Sequence, residues 1–94
     1  MKVIFSKFER VDCASDEMDA YVGDTWAGGI IKTHAQPIGA LSSVDSRGLV
    51  ESYEVEVGDV CEMFLVENFK SARAALAAAK QAVTRLVEQG HHES

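Results

Sequence analysis

The chain has 94 residues, 9 basic and 15 acidic, with a net charge of −6 and 47% hydrophobic residues. That length makes one domain able to bury roughly 60–65% of its unfolded surface, enough for one sheet and one helix around a single core, and the apolar share excludes a disordered chain. The acidic balance disfavours direct binding to nucleic acid or anionic membranes, and the two cysteines, Cys13 and Cys61, exclude a disulfide framework.

Residues Lys2 to Val11 (KVIFSKFERV) read as a first strand, rich in Val, Ile and Phe and free of Gly and Pro. The opening MKVIF is too short an apolar run for a signal peptide or a membrane span. Asp12 to Asp24 (DCASDEMDAYVGD) interrupts the pattern with five acids and no base. Ser15 can cap a short helical turn over Asp16–Ala20, where acids suit the positive end of the helix dipole. A calcium loop fails on spacing, because the DxDxDG core and its distal Glu are absent.

Thr25 to Gly29 (TWAGG) holds the only Trp and a Gly pair, which suggests a flexible or tightly turned backbone. Trp26 either packs on the core edge or stands exposed among acids as an anchor for a protein partner. Ile30 to Gln36 reads as a second strand ended by Pro37, and Ile38 to Val44 as a weaker third. Asp45-Ser46-Arg47-Gly48 has the Asp-first, Gly-last form of a type I turn. Leu49 to Val57 (LVESYEVEV) is the clearest strand, with Tyr53, Val55 and Val57 on one face and Ser52, Glu54 and Glu56 on the other. Gly58-Asp59 turns the chain into a last strand, Val60 to Val66. A one-residue bulge near Gly58 is expected here. It would put Cys61, Met63 and Leu65 with Tyr53 and Val55 under the helix, and would gather Glu54, Glu56 and Glu62 with Phe64 on the opposite face.

The helix is the stretch Phe69 to Gln89 (FKSARAALAAAKQAVTRLVEQ), which contains seven Ala residues. Ala72, Leu76, Ala79, Val83, Leu86 and Val87 recur at helical spacing as one apolar stripe. Ser71 can cap its start and Gly90 can close its end. The expected fold is therefore α+β: an antiparallel sheet of about four to five strands, mostly a meander, with one C-terminal Ala-rich helix on one face. Residues 1–90 form the single domain and residues 91–94 a frayed tail.

No catalytic constellation is visible. The chain has no P-loop, dinucleotide fingerprint or nucleophile elbow, and Cys13 and Cys61 are not spaced as a zinc pair. The expectation is a non-enzyme with no cofactor and no metal. The charges, by contrast, are segregated. Val11 to Glu67 carries twelve acids against Lys32 and Arg47, while Asn68 to Gln89 carries four bases against Glu88. Alternate residues of a strand lie about 6.7 Å apart on one face, so Glu54 and Glu56 make a short negative row. With Glu62 nearby, that row can imitate a run of phosphates for a protein whose Arg and Lys side chains expect them. The competing reading is a solvated face that blocks edge pairing.

In size, acidity and sheet-then-helix order the chain resembles the small phage-borne inhibitors of bacterial CRISPR systems, the anti-CRISPR proteins. The segment Phe69-Lys70-Ser71-Ala72-Arg73-Ala74-Ala75 is similar to the strand-to-helix junction of many small phage proteins. Anti-CRISPR proteins share no common signature, so the resemblance carries over no residue. It implies a non-catalytic protein of the bacterial cytoplasm that binds a surveillance complex or nuclease and blocks guide or target binding.

The leading expectation is a protein-binding inhibitor whose partner is a basic surface of a nucleic-acid-binding protein or CRISPR complex, with no membrane involved. Its candidate contact residues are Glu54, Glu56, Glu62, Asp16, Glu17, Asp19 and Trp26. A second reading uses the helix bases Arg73, Lys80 and Arg85 to bind nucleic acid, Arg73 and Lys80 sharing one side of the helix, against the net charge. A third is a homodimer that buries Phe8, Phe64 and the open sheet face.

Overall fold

The computed structural model describes residues 2–12, 14–34 and 49–90. The first stretch of chain is two short strands rather than one. β1 (Val3–Phe5) and β2 (Glu9–Arg10) lie end to end along the same neighbour, β3 (Ser15–Val22). They are separated at Ser6, whose N–H donates to the Asp19 carbonyl and whose hydroxyl accepts from the Asp19 N–H. Phe8 beyond that break turns inward and meets the Tyr53 ring, with centroids 6.1 Å apart.

The acid-rich segment is β3 itself, not a helical turn. Asp16, Met18 and Ala20 are buried while Glu17 and Asp19 are only partly covered, which is the two-residue period of a strand. β4 (Thr25–His34) also overturns an expectation, because Thr25 to Gly29 continues straight into Ile30 as one ten-residue strand. The Gly pair serves close approach rather than a turn. A methyl group on Gly28 would overlap the Glu56 carbonyl oxygen and sit 2.9 Å from Val57 Cγ2. The strand expected at Ile38–Val44 and the turn at Asp45–Gly48 lie outside the described residues.

β5 (Val50–Val57) and β6 (Val60–Leu65) complete an antiparallel sheet in the order β1-β3-β4-β5-β6, with β2 beside β3. The expected bulge at Gly58 is absent: Val57 pairs with Val60, Val55 with Glu62 and Glu54 with Met63. Gly58 takes φ 60 and Asp59 does not share a positive φ. That is the pattern of a two-residue turn with glycine first, whose twist matches its strands without an extra residue. The β3–β4 hairpin uses the same Val-Gly-Asp chemistry, with Gly23 at φ 61 between paired Val22 and Thr25.

After a single 3-10 turn at Val66–Asn68, α1 (Ala72–Glu88) crosses the sheet over β5 and reaches β4 and β6. Ser71 caps it by accepting from the Ala74 N–H at 3.1 Å, and Gly90, at φ 90, follows its last turn. Its buried stripe is Ala75, Ala79, Ala82, Val83, Leu86 and Val87, with Ala72 and Leu76 on the flank. The small side chains let the helix approach closely. Ile30, Val55, Val57, Val83 and Val87 are fully enclosed between the layers, each contributing about 1.5–3 kcal/mol by leaving water. Among the described residues, no helix is long and apolar enough to cross a membrane.

Candidate functional site

The sheet has one face under α1 and one that is open among the described residues. The strand registers decide which side chains share the open one. Glu17 of β3 stands opposite Ile31 of β4, which stands opposite Glu54 of β5 and then Met63 of β6. The next rung is Asp19, Gly29, Glu56 and Cys61. Two pairs of acids thus flank β4, Glu17 and Asp19 on one side and Glu54 and Glu56 on the other. Strand geometry sets them as a rectangle of about 7 Å along the strands and about 10 Å across. Its Asp19–Glu56 end is low, because Gly29 has no side chain, whereas Ile31 stands between Glu17 and Glu54. The Gly29 Cβ position lies 3.8 Å from Glu17 Oε1 and 3.9 Å from Asp19 Oδ1.

Trp26 borders this rectangle. Strict alternation along β4 would have sent it under the helix with Gly28 and Ile30. A register shift between Ala20 and Tyr21 places Trp26 opposite Tyr21 instead. Its indole N–H then donates to Asp19 Oδ1 at 3.0 Å, and the residue is 40% exposed. A shallow depression lined by Trp26, Glu56, Cys61 and the Gly58–Val60 turn opens beside it. Trp26 thus presents a partly exposed indole, fixed by a carboxylate, at the rim of an acidic surface.

Cys61 sits between the β5 acids. Its thiol donates to Glu54 Oε1 at 3.1 Å and lies 3.9 Å from Glu56 Oε1. The hydrogen bond to Glu54, then desolvation, then the charges of both carboxylates push the thiol from 9.0 up to about 11. It is therefore protonated at neutral pH. Glu54, Glu56 and Cys61 bring their ligand atoms within 4.8 Å of one another, close enough to share a cation. Exposed acidic groups commonly cluster in this way without one.

Two of the expected contact residues lie elsewhere. Glu62 is on the helix face, because the plain two-residue turn sets the phase of β6 one residue away from the expected one. There its carboxylate accepts from Arg85 Nη2 at 2.6 Å. Cys61, Met63 and Leu65 take the open face in its place, and Phe64 packs inward against Phe69, with ring centroids 6.2 Å apart. Asp16 is also on the helix side and only 8% exposed. It meets His34 Nε2 at 3.0 Å and Lys32 Nζ at 3.6 Å, and Lys32 in turn lies 4.3 Å from the Phe8 ring centroid. Asp16 and Glu62 are thus neutralised within the chain. Glu17, Asp19, Glu54 and Glu56 make no ion pair among the described residues.

Sequence reasoning linked Glu54 with Glu56 and proposed Glu17, Asp19 and Trp26 separately. It missed that β4 brings all five together. Only part of the signal was present: the repeated Val-Gly-Asp at Val22–Asp24 and Val57–Asp59 marks the β3–β4 and β5–β6 hairpins, but nothing local marks the β4–β5 pairing that joins them. No family model matches the chain, and neither the curated proteins nor the solved structures provide a match.

Proposed function

We propose that this protein is a non-catalytic inhibitor that places its open acidic face on the phosphate-binding surface of a nucleic-acid-binding protein. The observation that carries this reading is the rectangle of Glu17, Asp19, Glu54 and Glu56, four acids gathered on one face that make no ion pair among the described residues, whereas Asp16 and Glu62 on the helix side are paired. A basic surface built for phosphates gains most from charge displayed in this way, and Trp26 adds apolar contact at the rim. A CRISPR effector in the bacterial cytoplasm is the partner that the resemblance to anti-CRISPR proteins implies.

The reading in which the helix binds nucleic acid loses support from the same geometry. Arg85 is held by Glu62, and Lys80 Nζ lies 5.4 Å from the Phe5 ring centroid, so two of its three bases are engaged within the chain.

The test is capture from a bacterial lysate with the wild-type chain and with a Glu54→Lys, Glu56→Lys double variant as baits. The wild type captures a nucleic-acid-binding protein, releases it as salt rises, and competes with DNA or RNA for it. The double variant weakens that binding by roughly 100-fold or more, since like charges then face each other, and its circular dichroism is unchanged. Undiminished binding by the double variant sinks the proposal.

A further inference from the structure

β6 ends the sheet, and the described residues place nothing along its outer side. Natural edge strands are ordinarily protected by charged side chains, Lys above all, or by Pro, a bulge or shortness. β6 has no Lys, Pro or bulge: it runs six residues, Val-Cys-Glu-Met-Phe-Leu, and pairs with β5 without a register shift. Its one charge, Glu62, is tied back to Arg85 of the same chain. Met63 is 56% exposed and Leu65 37%.

The turn determines which backbone groups are free. Val57 and Val60 flank a two-residue loop and so exchange hydrogen bonds with each other. Bonding alternates along an antiparallel pair, so Glu62 and Phe64 also bond inward to β5. The N–H and C=O groups of Cys61, Met63 and Leu65 point outward.

We infer that β6 pairs with β6 of a second copy of this chain, antiparallel about a two-fold axis at Met63. In this register Met63 faces Met63, and Cys61 faces Leu65 of the other copy. All three outward-facing residues of each strand then find partners. Glu62 faces Phe64, so no acid meets an acid directly. A two-fold centred on Glu62 would oppose two carboxylates, and one centred on Phe64 would leave Cys61 without its pair. The acid rows of the two β5 strands would stand three strand spacings apart, about 14 Å, well beyond a screening length of about 8 Å at physiological salt. The negative faces therefore do not forbid the pairing. This inference rests on the sheet edge and not on what the acid face binds.

Sedimentation velocity of the full chain over a concentration series tests it. The expected species has twice the 10.2 kDa mass of one chain. Met63→Lys, which brings two ammonium groups together at the axis, returns it to a monomer with unchanged circular dichroism. In a Cys13→Ser, Cys61→Ser background, Met63→Cys cross-links to itself on oxidation and Leu65→Cys does so far less. A wild-type monomer at all soluble concentrations overturns the inference. So does a dimer that survives Met63→Lys, or one that cross-links better through Leu65→Cys. The Glu54→Lys, Glu56→Lys variant keeps the dimer, which separates this result from that of the binding experiment.

Discussion

Cys61 and Asp16 show how a side chain's neighbours set its chemistry. Cys61 is exposed, yet two carboxylates hold its proton, and thiol reactivity follows the thiolate. In a Cys13→Ser background, a titration followed by thiolate absorbance should have its midpoint near 11, and Glu54→Gln should bring it back towards 9.0. The folded state favours the thiol form, so the stability associated with this group is complete below about pH 9 and is lost as the pH rises through about 11. A midpoint near 9 in the parent would show that Glu54 does not hold the proton. Asp16 presents the opposite case, a buried carboxylate on the helix side of the sheet, set between His34 and Lys32. Asp16→Ala removes the carboxylate that Lys32 Nζ and the buried His34 Nε2 both face. Lys32 remains partly solvated, so the cost falls below that of a fully buried pair, at about 2–3 kcal/mol in urea denaturation. A change under 0.5 kcal/mol would place the pair among ordinary surface contacts.

Each element of the fold owes its form to a different signal. α1 was legible because its cap, its stripe and its closing glycine all sit within one continuous stretch of chain. β5 was legible for the same reason, with Tyr53, Val55 and Val57 alternating against acids. β3 and β4 were not. Five acids in Asp12–Asp24 resemble a loop, and Gly28-Gly29 resembles a turn, when neither neighbour is known. The buried set Asp16, Met18 and Ala20 is recognisable as a strand face only once β4 lies alongside. Gly28 is small because β5 is near, a fact about a contact and not about local conformation. Gly28→Ala should therefore destabilise the protein by about 2 kcal/mol or more by pushing the two strands apart. An alanine tolerated there within 0.5 kcal/mol would mean that β4 and β5 are free to separate.

On the scale of the whole molecule, charge is sorted by face. The helix side carries Arg85, Lys32 and Lys80 and engages them internally, Arg85 on Glu62, Lys32 on Asp16 and Lys80 over Phe5. The open side keeps four carboxylates beside one another without a counterion from the described chain. Packing them there costs mutual repulsion, which solvent and salt reduce at this spacing. A basic partner would relieve that repulsion on binding, so the interaction proposed above should weaken as salt increases.

The linear order of residues was enough to establish an α+β domain, a capped Ala-rich helix, and the alternation of β5, because each depends on near neighbours along the chain. Only the folded sheet decided which acids stand together. Side chains in a strand change face at every residue, so a single extra residue at the Gly58 turn would have sent Glu62 to the open face and Cys61 beneath the helix. The glycine-first turn needs no such residue and so kept Glu62 out of the displayed set, while the pairing of β3, β4 and β5 brought Glu17, Asp19, Glu54 and Glu56 together and the shift at Tyr21 set Trp26 beside them.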